Sequence, residues 1–89
     1  MKPVGYLQIT TPSTRTLLTI PSGAQVALIQ AEPQNCRWRD DGTDPTAAIG
    51  MQIAAGNSVL YVGELSAFKV IQEAANAKVN VSFYAMHST

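Results

Sequence analysis

Turn-forming clusters punctuate this chain about every eight to twelve residues, and that spacing constrains its fold more than any other feature. They are Thr11-Pro12-Ser13, Pro21-Ser22-Gly23, Glu32-Pro33-Gln34-Asn35, Asp41-Gly42 with Pro45, Gly56-Asn57, Gly63, and residues 74–77. Short strands between such turns point to a β-sandwich or a small barrel. The intervening segments alternate as strands do. Val4, Tyr6 and Gln8 oppose Gly5, Leu7 and Ile9; Thr16, Leu18 and Ile20 oppose Leu17 and Thr19; Val26 and Leu28 oppose Ala27 and Ile29. Ile49, Met51 and Ile53 share a face, and Ser58, Leu60 and Val62 face away from Val59 and Tyr61. The C-terminal run is the cleanest, with Val79, Val81, Phe83 and Ala85 against Lys78, Asn80, Ser82 and Tyr84. A one-residue slip there would turn every apolar group outward, so its register is well specified.

Residues 65–75 carry two periodicities. Leu65, Phe68, Gln72 and Ala75 sit at helical spacing, while Phe68, Val70 and Gln72 alternate with Lys69, Ile71 and Glu73. A strand after a short turn at Leu65–Ala67 is preferred, because it supplies a partner for the last strand. The expected fold is therefore all-β, a single antiparallel β-sandwich or small jelly-roll-like barrel of about seven or eight short strands. It occupies residues 1–89 as one domain, with residues 86–89 expected to fray.

Composition narrows the partners. Six basic and six acidic residues cancel, and only 13% of residues are charged, against about 25% in a typical soluble chain. Without a basic excess there is no drive to displace phosphate counterions, so nucleic acid is not expected as a partner. The 46% hydrophobic content argues against disorder. No apolar run approaches the ~20 residues of a membrane helix, so no membrane partner is expected either. The first residues lack the apolar core and cleavage pattern of a signal peptide. A lone cysteine, Cys36, excludes an internal disulfide and a multi-cysteine zinc site, and fits synthesis in a reducing cytoplasm. A domain this small buries a modest share of its surface, which makes self-association an expected source of further buried area.

The densest polar segment is Cys36-Arg37-Trp38-Arg39-Asp40-Asp41-Gly42-Thr43-Asp44-Pro45-Thr46. Its three carboxylates fail the calcium-loop pattern: counted from Asp40, Pro45 takes the sixth place where glycine is required, and Met51 the twelfth. Asp41-Gly42 reads as a hairpin turn. Arg37 and Arg39 share one face of a strand and Cys36 and Trp38 the other, so the guanidinium groups should meet nearby carboxylates or a neighbouring subunit. Arg37, Arg39, Asp40, Asp41, Gly42 and Asp44 form the candidate structural turn and interface.

No catalytic set emerges. His87 is the single imidazole and lies two residues from the end of the sequence, a poor place for a catalytic group. Cys36 reads as a small buried hydrophobe, and the glycines form no phosphate-binding loop. No cofactor is expected. Asn80-Val81-Ser82 matches a glycosylation sequon by accident, inside the best-patterned strand. Trp38, Tyr61, Phe68, Phe83 and Tyr84 are spread over several strands as core aromatics are, and Tyr6 and Tyr84 are placed where they could meet.

Residues 37–46, then Ile49-Gly50-Met51, Ala55-Gly56 and Tyr61, followed by Phe68-Lys69-Val70-Ile71 and residues 77–84, together resemble small virion structural proteins of tailed bacteriophages. The resemblance covers residues 37–84, just over half the chain, and consists of turns and strands rather than a catalytic signature. It implies a non-enzymatic component of a phage particle, located in the virion, and specifically a head decoration (cementing) protein. The implied partners are other virion proteins, the capsid lattice foremost, together with further copies of the chain. A tail or head–tail connector component, and a β-module for host surfaces or carbohydrate, are the alternatives.

Overall fold

The structure, a computed structural model, describes residues 1–86; His87 and most of the expected frayed tail lie outside the described residues. The strands are β1 (Lys2–Thr10), β2 (Thr16–Leu17), β3 (Val26–Glu32), β4 (Cys36–Arg39), β5 (Met51–Ile53), β6 (Ser58–Tyr61), β7 (Lys69–Gln72) and β8 (Lys78–Ala85), with one short 3₁₀ turn, Leu65–Ala67, before β7. They form two four-stranded sheets, ordered β1-β8-β3-β6 and β2-β7-β4-β5. Every pairing is antiparallel. The fold is thus the expected all-β sandwich, and residues 65–72 resolve as a turn followed by a strand, although that strand pairs with β2 and β4 and is not the expected partner of the last strand, which lies between β1 and β3.

Side-chain alternation builds the core from both sheets. Ala27, Ile29 and Ala31 of β3 and Val79, Val81 and Phe83 of β8 point inward, meeting Cys36 of β4, Ile53 of β5 and Val70 of β7. Phe68, which follows the 3₁₀ turn, is fully buried between the sheets with the Trp38 and Tyr61 rings. Burying a side chain of this size contributes about 1.5–3 kcal/mol, and the aromatic group concentrates that contribution where β4, β6 and β7 converge.

Three local expectations are corrected. Val4 does not share the outward face of Tyr6 and Gln8: the register jumps from Pro3↔Tyr84 to Gly5↔Phe83, so a β-bulge at Val4 resets the alternation and packs it on the core with Leu7 and Ile9. The Asp41-Gly42 pair does not close a two-residue hairpin. β4 and β5 are joined by residues 40–50, and Gly42 (φ 89°) only bends this longer loop. Ile49 falls in that loop and is exposed, and Met51 lies at the open margin of the sheet, so only Ile53 of that trio is buried.

Candidate functional site

Strand β4 places its residues as alternation requires. Cys36 and Trp38 point into the sandwich, and Arg37 and Arg39 point out. The Arg37 Nε lies 2.8 Å from Glu73 Oε2, just past β7, and its Nη1 donates to the Gly50 carbonyl at 3.0 Å. Arg39 grips Asp41 with both Nε and Nη2, the first at 3.0 Å. Asp44 accepts from Lys69 Nζ at 3.0 Å and lies 3.5 Å from Arg15 Nε. Asp40 turns the other way, and its Oδ2 accepts the Tyr61 hydroxyl at 2.7 Å.

The candidate residues are therefore close in the chain while their charged groups diverge. Each carboxylate in residues 40–44 is held by a different partner from a different part of the fold. That geometry clamps the loop onto β6, β7 and the β2 region; it does not converge on a ligand. The hydrogen bonds from Arg39 hold Asp41 below the ordinary carboxylate range, and those from Lys69 do the same for Asp44. Glu73 is lowered chiefly by the amide of Gln52, which donates at 2.7 Å, with Arg37 adding to the effect. Gly50 completes the clamp: at φ 143° it brings its backbone so close that a β-carbon would stand 3.1 Å from the Trp38 carbonyl.

The inner side of the same strand shows no reactive group poised for chemistry. Burial, with a smaller contribution from the Glu73 charge, pushes the Cys36 thiol up to about 11, the opposite of what an activated thiolate needs. The Trp38 and Phe68 rings stack with centroids 5.0 Å apart, and Tyr61 meets both edge-on. These rings are committed to the core and form no exposed platform.

Sequence reasoning found the clamp's centre and missed its outer partners. Arg15, Lys69 and Glu73 join the five charges of residues 37–44, so eight of the chain's twelve charged side chains gather on the second sheet and its loop. Lys69 at the start of β7 and Glu73 just past its end, bracketing Val70 and Ile71, were the available signal; it needed the β4–β7 pairing to be read.

The outer face of the first sheet is the counterpart. From β1 to β6 it presents Tyr6, Ser82, Leu28 and Leu60 in one row, and Gln8, Asn80, Gln30 and Ser58 in the next. Lys78 and Glu32 sit at the far end of this face. Asn80 is its hub. The Asn80 Oδ1 accepts from the Tyr6 hydroxyl at 2.6 Å and from Gln8 Nε2 at 2.9 Å, while its Nδ2 donates to Gln30 Oε1 and Glu32 Oε2. Tyr6 meets Asn80 here instead of Tyr84. Asn80 is thus occupied in the sheet's own network.

Comparison of the chain with protein-family models, with curated proteins and with solved structures finds no match.

Proposed function

We propose that this chain is a non-enzymatic structural subunit that docks onto other protein by its surface, and specifically a decoration protein of a bacteriophage head. The observation that carries the reading is the segregation of charge. Most ionic groups are consumed in an internal clamp on the second sheet, leaving the first sheet a broad face of amides, hydroxyls and apolar side chains. On that face Leu28 and Leu60 lie directly opposite each other across β3 and β6 and are both exposed.

Docking such a face removes little charge from water, so the desolvation cost that burdens charged interfaces is small. A repeated lattice then multiplies a modest contact through multivalency. Mass spectrometry of purified phage particles is expected to find the chain at a copy number matched to the lattice, and its absence from the particles would overturn the reading. Leu60→Lys is expected to lower occupancy of the particle while leaving the thermal midpoint unchanged, because Leu60 is more than half exposed.

A further inference from the structure

Strand β1 is the one long open edge among the described strands. It pairs with β8 on one side and with none of the described residues on the other, and it spans nine residues where the other edge strands, β6, β2 and β5, span four, two and three. The direction of its backbone groups follows from one hydrogen bond. Thr11 N–H donates to the Ala77 carbonyl at 2.8 Å, continuing the Thr10↔Lys78 and Ile9↔Val79 register. Antiparallel ladders alternate, so Leu7 and Ile9 aim their N–H and C=O groups at β8, and Tyr6, Gln8 and Thr10 aim theirs at the open edge. The same parity holds one strand further in, where the Ala31 N–H reaches the Asn57 carbonyl on the β6 side.

Edge strands are usually blunted against pairing by charge, proline or a bulge. Here those devices are confined to the ends of β1. Lys2, Pro3 and the Val4 bulge close one end, and Thr11 (φ 45°) followed by Pro12 closes the other. The stretch between them, Tyr6-Leu7-Gln8-Ile9-Thr10, has regular pairing, no charge and no proline.

We propose that this edge pairs antiparallel with β1 of a second copy, on a two-fold axis through Gln8, to make one continuous eight-stranded sheet. The occupant is argued from self-complementarity. In this register Tyr6 lies opposite Thr10 of the second copy, Gln8 opposite Gln8, and Leu7 opposite Ile9. Every outward pair is aromatic–β-branched or amide–amide, every inward pair is apolar, and no like charges meet. The six free backbone groups of each copy all find partners, in about six N–H···O=C bonds. The inward Leu7 and Ile9 already pack on the core, so the two cores become continuous across the axis. A five-residue edge buries less than the ~1,000 Å² of a stable standard interface, so the dimer forms in a concentration-dependent way. The inference concerns the isolated chain and stands apart from the particle reading.

Sedimentation equilibrium of the full chain is expected to show a 9.5 kDa monomer passing to a dimer of about 19 kDa as concentration rises. Gln8→Lys places two ammonium groups opposite each other on the axis and is expected to weaken dimerisation roughly fivefold or more. Ser58→Lys adds the same charge on the opposite edge strand and is expected to leave it unchanged. Gln8→Cys is expected to form an intermolecular disulfide on mild oxidation, since paired α-carbons in such a ladder lie about 5.5 Å apart; a folded Ser58→Cys is expected not to. A chain that stays monomeric at millimolar concentration would overturn the proposal. So would equal weakening by Gln8→Lys and Ser58→Lys, or failure of Gln8→Cys to cross-link. The cross-linking result decides if Gln8→Lys proves unfolded.

Discussion

The Tyr61 hydroxyl donates a 2.7 Å hydrogen bond to Asp40 Oδ2, tying β6 of one sheet to the first residue of the loop that leaves β4 of the other. The Tyr61 ring is at the same time the edge-on partner of Trp38 and Phe68. One side chain therefore joins the core to the charged clamp. Tyr61→Phe keeps the rings and removes the bond, and is expected to cost about 0.5–1.5 kcal/mol in urea denaturation. Asp40→Asn retains an acceptor and is expected to cost less.

Phe68 is completely buried between the Trp38 and Tyr61 rings. Phe68→Ala is expected to remove about 3–5 kcal/mol, a large part of the stability of a domain this size. Phe68→Leu fills most of the space and is expected to cost about 1–2 kcal/mol. Denaturant midpoints with unchanged slopes would check both.

Asp41, Asp44 and Glu73 titrate below their ordinary values because Arg39, Lys69 and Gln52 hold their ionised forms. The folded state therefore binds fewer protons than the unfolded state through the acidic range. The stability from these groups is fully present above their unfolded values, near pH 4, and is lost as pH falls through the lowered folded values. Thermal midpoints are expected to hold level from pH 7 to about 5 and to fall steadily below about pH 4, less steeply in high salt.

Cys36 behaves in the opposite sense. Its thiol is raised from 9.0 to about 11, so its contribution is complete below about pH 9 and is lost as pH rises through about 11. At pH 8 a thiol reagent is expected to modify the folded chain far more slowly than the unfolded chain, with a rate that tracks unfolding in denaturant.

Gly50 and Gly42 both have positive φ, but only Gly50 is crowded. Gly50→Ala is expected to cost about 1–3 kcal/mol, because the added methyl meets the Trp38 carbonyl. Gly42→Ala meets open space and is expected to cost about 1 kcal/mol from backbone strain alone. Thermal melts of the two variants side by side would separate these contributions.

The two-residue period determined much of this protein before any contact was known. It set the inward faces of β3 and β8, the division of Cys36 and Trp38 from Arg37 and Arg39, and the burial of Tyr61, because alternation is a property of the extended chain itself. Tertiary structure decided what alternation cannot encode. The Val4 bulge reversed the facing of β1's first residues, and the connection after Asp41-Gly42 became a long loop because β4 and β5 pair through Cys36↔Ile53 and Trp38↔Met51. Arg37 found Glu73, Asp44 found Lys69, and Asp40 found Tyr61 only when sheet order brought distant strands together. The Asp40–Tyr61 bond depends on closure of the two sheets over one core and the other two pairings on β4 lying beside β7, and a local pattern carries no record of which strand will lie beside it.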